Sequence, residues 1–504
     1  MPAASTGPNI AHCHEDYSAL LPKWRLTHAF VSGPDAVRAL RELVLPKPNA
    51  DDTSTENATR YNQYIERACF YPAVARTMEG YNGQVFSDPP LVRLPESVKR
   101  LEMDVDGAGV SLVQQSSKAL NHVIAFGRCG LLADFPATNG MVTREQMTKG
   151  NIRPTVTLVQ PFDIVNWRLG QFGGVTKLVR LVISEKYVTN DDGYEQKLDN
   201  SWRVIYLNEA GHVVVELWRK KEKEKEKGQF EMITGTNGEA LTYTPMVDGK
   251  PLTEIPFTFV GSENNDSSCD LPPMDGLTEL NRAHFRNSAD YEESVYQTGQ
   301  PMYWMSGLDS DWIKEQLGGK VMIGCRSIIP LPVDGTMGIV QAKPNTLAFE
   351  AMTHKEKQMV AIGAKLIEMS KVAMTATEVQ LHDGASTSAL ARMANNVSQA
   401  YEWIIRRAMQ FVDPSWETAE LQIRLSTDFR TNDLTPSDQA QLVANWQAGA
   451  ITDVEMRDQF KRGSMTRATD AEWKTWYEAK KKEEEARAAL EKKVTPPKKT
   501  GSDV

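Results

Sequence analysis

No run of apolar residues in this 504-residue chain nears the roughly eighteen needed to cross a bilayer, and no basic-then-apolar leader opens it. Synthesis in a cytoplasm, with no membrane crossing, is the expectation. Cysteine is scarce. The five residues (Cys13, Cys69, Cys129, Cys269 and Cys325) are odd in number and scattered. Without a CxxC pair they exclude a disulfide framework or a zinc knuckle. Catalytic signatures are missing too: there is no GxxxxGK[ST], no GxGxxG opening a helix, no HExxH and no GxSxG. Gly318-Gly319-Lys320 lacks the upstream Gly and the following Ser or Thr of a phosphate loop.

Excess positive charge is absent as well. The chain has 57 Lys and Arg against 66 Asp and Glu, a net charge of −9 and a sequence pI of 5.6. That balance argues against a tight, sequence-independent clamp on nucleic acid and leaves loose contact open. Hydrophobic content of 41% and charged content of 24% are ordinary for a folded chain. The length exceeds one common core, so several domains or sub-domains are expected.

The candidate reactive groups have plainer readings. Asp51-Asp52 and Asp191-Asp192 fall in turns, where Asp is a turn residue. His12-Cys13-His14 has no partner cluster to complete a metal site and reads as incidental tail residues in a mobile segment 1–15. His122 has nothing acidic or nucleophilic at helical spacing and reads as a packed helix residue. No catalytic residue, metal site or cofactor is expected, and the chain reads as a non-enzyme.

What is present is a change of period along the chain. Residues 34–133 look helical, with Ser87-Asp88-Pro89-Pro90 as a break and a helix from about Ser111 to Phe126 that Gly127 ends. Leu131–Pro136 then leaves as a strand. From Thr155 to Val260 the period is two. Candidate strands are Thr155–Gln160, Lys177–Val188, Trp202–Leu207, His212–Trp218, Phe230–Ile233, Ala240–Pro245 and Phe257–Gly261, separated by turn signals such as Asn237-Gly238. Arg219–Lys227 alternates in sign and reads as a solvated hairpin extension. Helix returns over residues 271–297, entered through Pro272-Pro273, with Leu277, Leu280, Asn281, His284, Phe285, Ser288, Tyr291 and Val295 as its buried stripe. A small α/β insert, 299–343, follows.

The organising stretch is Pro344–Val412. Phe349, Met352, Met359, Ile362 and Leu366 define one helix face; Leu390, Met393, Val397, Tyr401, Ile404, Ala408 and Phe411 define another. Between them lies a polar segment, Ser370–Ser388, without helical period. A loop so long between strong helices is uncommon, and such loops are usually functional or disordered. Leu421–Ser426 reads as a strand returning to the β domain. Residues 435–491 read as helical and 492–504 as a basic tail.

This order of elements resembles the portal proteins, the head-to-tail connectors of tailed bacteriophages. GRCGLLADFP at 127–136, PFDIVNWR at 161–168, LTELNRAHFRNSADYEESVYQTGQPMYW at 277–304, MTATEVQ at 374–380 and LVANWQAGAITDVEMRDQFKRG at 442–463 resemble a prophage-associated branch of that family. The resemblance implies an α+β, portal-like fold. An N-terminal arm (1–33) would precede a wing (34–270). Stem helices (271–298 and 344–369) would flank a clip (299–343). A tunnel loop (370–388), a long wing helix with a returning strand (389–434), a crown (435–491) and a disordered tail (492–504) would follow. It further implies a homo-oligomeric ring, a dodecamer in the virion, at one capsid vertex, through which double-stranded DNA is packaged and ejected. Its partners would be the terminase large subunit, head–tail adaptor or tail proteins, and major capsid and scaffolding proteins. Lys371, Thr375, Thr377, Gln380 and His382 would face DNA from the tunnel loop. Tyr303, Trp304 and Trp312 would form the clip's partner interface. A non-portal virion adaptor and a dispersed-site nuclease are the alternative readings.

Overall fold

The computed structural model describes residues 9–136, 152–172, 174–221, 229–234, 240–299, 302–317, 331–340, 346–365, 388–427, 429, 436–448, 450–452, 455–457, 472–480 and 482. The fold is α+β. Two compact units divide it, residues 1–428 and 429–504.

The first unit opens with five helices: α1 (Glu15–Ser32), α2 (Pro34–Ala39), α3 (Thr55–Arg67), α4 (Ala73–Val85) and α5 (Leu112–Phe126). Residues 15–32 differ from the expected arm. They form a helix that buries Trp24 and Phe30 completely. The Trp24 indole N–H donates to the Phe126 carbonyl at 2.9 Å, and the Tyr17 hydroxyl to the Phe162 carbonyl at 3.0 Å. These long-range bonds satisfy the polar tips of two buried aromatics, which makes α1 part of the core. His14 is correspondingly not an incidental tail residue. Its Nδ1 accepts from the Asp16 N–H, capping α1, and its ring stacks on Trp167 at 4.0 Å. At α5 the local signals act as their chemistry demands. Ser111 and Gln114 form a reciprocal capping box, and Gly127 ends the helix in the left-handed region at φ 81°.

The strands assort into small sheets. β2 (Arg128–Asp134) lies between β3 (Thr155–Val159) and β12 (Phe257–Gly261), antiparallel to both. The large sheet runs β4 (Ile164–Phe172), β5 (Val175–Asp191), β6 (Gln196–Leu207), β7 (Val213–Lys220), β8 (Phe230–Met232), with β9 (Thr242–Tyr243) also on β7. β4 is the strand that period alone misses; its inner residues Ile164, Val165 and Trp167 are buried. β10 (Met246–Val247) and β11 (Lys250–Pro251) make a short hairpin. Part of the predicted extension after Arg219 lies outside the described residues. Where β2 begins, Arg128 is buried with its guanidinium 4.5 Å from both the Trp167 and Phe259 ring centres, one nitrogen donating to Cys269 Sγ.

The next elements are α6 (Asp275–Thr298), β13 (Met302–Ser306), α7 (Ser310–Leu317), β14 (Thr336–Val340), α8 (Leu347–Lys365), α9 (Ala389–Met409) and β15 (Gln422–Arg424). The predicted period of α9 holds from Leu390 to Ala408, where Leu390, Met393, Val397, Tyr401, Ile404 and Ala408 are all buried, whereas Phe411 falls past the helix end and is half-buried. Tyr401 donates to Gln115 Oε1 at 3.0 Å, and Gln115 in turn donates to the Val156 carbonyl at 2.9 Å. Asn396 donates to the Gly261 carbonyl at 2.9 Å. α9 therefore binds α5, β3 and β12 into one core. β15 corrects the expectation that it rejoins the β domain. It pairs with β1 (Leu91–Arg93) instead, and its backbone is also held by α9: Ile423 N–H donates to Glu402 and Leu425 N–H to Ser398 Oγ. After Met409 the chain turns back along α9, so the nearest acceptors for the strand's N–H groups are on that helix.

In the second unit, α10 spans Pro436–Gln447, residues 472–480 are also helical, and Trp473 stacks on Tyr477 at 5.0 Å.

Candidate assembly surface

α6 and α8 run antiparallel as a pair. Tyr291 meets Phe349 at a ring separation of 6.0 Å, and seven residues away in each helix His284 Nε2 lies 3.2 Å from Glu356 Oε1. Moving back two turns on α6 moves forward two turns on α8, which fixes the direction. Twenty-four residues make α6 about 36 Å long.

The root of α6 is buried in its own chain. Leu277, Thr278, Asn281, His284, Phe285, Ser288 and Ala289 are covered. Acidic residues along the outer side are largely neutralised. Asp275 pairs with Lys23 at 2.6 Å and Glu279 with Arg282 at 2.5 Å. Tyr64 donates to Asp290 at 2.5 Å, and Arg67 bonds Glu293 at 2.5 Å while stacking on Tyr296. Burial, then the hydrogen bond to Asp290, holds the Tyr64 phenol well above its ordinary range.

The far end is different. The predicted stripes stay open there at Val295 and, on α8, at Phe349, and their neighbours Tyr296 and Leu347 are exposed too. β13 and β14, separated in the chain by α7, pair antiparallel as a two-stranded sheet carrying exposed Tyr303, Trp304, Met337, Ile339 and Val340. Trp312, on α7, is partly buried. Of the expected clip residues, Tyr303 and Trp304 thus share one strand and lie open to solvent. Lys371, Thr375, Thr377, Gln380 and His382 lie outside the described residues, as do residues 318–330 of the expected insert. β14 was not expected as a strand. Its signal, alternating Met337, Ile339 and Val340 around Gly338, is short and follows a turn pair, Asp334-Gly335. Large apolar side chains thus gather at one end of the helical pair, the composition of a patch suited to an interface.

Residues 273–412, from just before α6 to just past α9, match a family model described as "Domain of unknown function (DUF4055)". No curated protein sequence matches the chain. Among solved structures, a chain of "Virion of native gene transfer agent (GTA) particle" is similar at 13% identity and TM-score 0.40, over 84% of this chain and 97% of that one. A chain of "Neck of native GTA particle computed with C12 symmetry" is similar at 12% identity and TM-score 0.38, over 77% of this chain and 89% of that one. No helix among the described residues is long and apolar enough to cross a membrane.

Proposed function

We propose that this chain is a portal-type subunit. Copies of it close into a ring at one capsid vertex, DNA passes through the ring during packaging and ejection, and the end bearing β13 and β14 docks the packaging motor and then the tail adaptor. The observation that carries the reading is the α6–α8 pair. It is rooted in its own core at one end and lined with uncovered Val295, Tyr296, Tyr303, Trp304, Leu347 and Phe349 at the other. A single copy leaves that surface wet, whereas a head-to-tail ring buries it between neighbours. The sequence resemblance supplies the order of elements and the segment between α8 and α9. In it Lys371, Thr375, Thr377, Gln380 and His382 are proposed to face DNA.

Charge agrees with a sliding role. Affinity for DNA rises steeply with each phosphate neutralised, so a channel rich in Lys–phosphate contacts would stall. A subunit of net charge −9 avoids that. Negative-stain imaging of the purified protein tests the reading: ring particles with a central hole are expected. A stable monomer at high concentration overturns it and favours an adaptor. Mg²⁺- or Mn²⁺-dependent cutting of DNA would favour a nuclease.

A further inference from the structure

Helix α8 is held to its own chain very differently from α9. Among its residues with described side chains, Met359 and Gly363 are the buried ones, whereas thirteen residues of α9 are buried. Among the described residues, Phe349 meets Tyr291 near its start and two polar contacts tie its later turns to other helices. Glu356 accepts from buried His284 on α6 at 3.2 Å, and the Gly363 carbonyl accepts from the hydroxyl of buried Tyr81 on α4. Glu356 and Gly363 are seven residues apart, two turns along one face of α8.

The space between the two fastenings is poorly filled. An open cleft of about 290 Å³ lies between α8 and α4, lined by Tyr71, Arg76, Thr77, Gln84, Met359 and Val360. At Gly363 a methyl group would fit without displacing anything, its nearest neighbours, Thr77 Cγ2 and Tyr81 Oη, standing at 3.6 Å. Underneath, the chain has polar groups that gain from exposure. Asn281 is wholly buried and neither amide atom has a hydrogen-bond partner; His284 Nδ1 also lacks one. Asn281 and His284 lie one turn apart on α6, so both belong to the face that meets α8. Water reaching them on opening supplies the bonds the closed state withholds.

We propose that α8 is a strap: it detaches from α4 and α6 as one piece, and the Glu356–His284 and Gly363–Tyr81 contacts are the two fastenings that hold it closed. Few α8 side chains are buried, an open cleft already lies along its α4 side, and buried polar atoms are satisfied on release. Elements with few buried apolar contacts are those that open locally.

Hydrogen exchange read by mass spectrometry on the purified full-length protein tests it. In the unaltered protein, peptides from 347–365 should exchange faster than peptides from 389–409. Glu356→Ala and Tyr81→Phe should each speed α8 exchange about tenfold, and together about a hundredfold, the effect of one ordinary hydrogen bond apiece. Peptides of α5, α6 and α9 should keep their rates. Protection of α8 equal to that of α9 overturns the proposal. So does either variant leaving α8 unchanged, or raising exchange evenly across all these helices.

Discussion

The indole of Trp304 lies across the facing residue of β14, Gly338. A Cβ at Gly338 would stand 2.6 Å from Trp304 Nε1 and 2.7 Å from Cε2. Glycine is therefore what lets an exposed tryptophan lie flat on the neighbouring strand. Gly338→Ala should lift the ring, and Trp304→Ala should remove it. If this two-stranded sheet docks a partner, truncating the tryptophan should cost about 2 kcal/mol or more, roughly a thirtyfold loss, with a smaller loss for Gly338→Ala. Co-sedimentation with the terminase large subunit or tail adaptor measures both. Unchanged binding in well-folded variants would move the interface elsewhere.

Tyr401 and Gln115 form a buried chain that ends on the Val156 carbonyl. Tyr401→Phe deletes the donor and leaves the Gln115 oxygen stranded in a dry core. The expected cost is about 1–3 kcal/mol. Urea unfolding should show a lower midpoint with an unchanged slope.

Gly127 combines a φ of 81° with tight surroundings, the Asp270 and Leu271 carbonyl oxygens lying 2.8 and 3.0 Å from an added Cβ. The left-handed conformation alone costs a side chain about 1–2 kcal/mol, and backbone oxygens cannot swing aside. Gly127→Ala should destabilise by more than that. Ser111→Ala, at the other end of α5, should cost about 1 kcal/mol through the lost cap. Thermal unfolding of the two variants should rank them in that order.

His122 stacks on Phe126 at 5.9 Å, and burial, helped by His28 and Lys118, pushes its pKa down to about 4 from 6.5. The neutral ring is the folded form. Above about pH 6.5 neither state is protonated and the residue's contribution is intact. As pH falls towards 4 the unfolded chain takes up the proton first, and stability is lost by up to about 3 kcal/mol. That figure is an upper limit, because the ring is partly open to water. His122→Gln should flatten the pH dependence of unfolding free energy between 6.5 and 4. Parallel curves for the two proteins would refute it.

Much of the local structure is legible in the residue order. The three–four spacing from Leu390 to Ala408 dictates the buried face of α9, because a helix repeats every 3.6 residues whatever it packs against. Ser111, Gln114 and Gly127 mark the ends of α5 through backbone bonds that involve only near neighbours. The two-residue period likewise locates β5, β6 and β7. The same reading put Phe349 and Val295 on packed faces, and there it could go no further. An apolar stripe states that a surface will be covered, without stating whether its own chain or another covers it.

Tertiary structure alone decided the rest. β15 pairs with β1, more than 300 residues earlier, since Glu402 and Ser398 on α9 offer its backbone acceptors. α1 became core because distant carbonyls at Phe126 and Phe162 satisfy Trp24 and Tyr17. The fastening of α8 rests on residues 72 and 282 positions from their partners. Sequence period encodes what a segment does within a few turns of itself. Which distant donor meets which acceptor, and which stripe is left open, is settled only when the whole chain closes on its core.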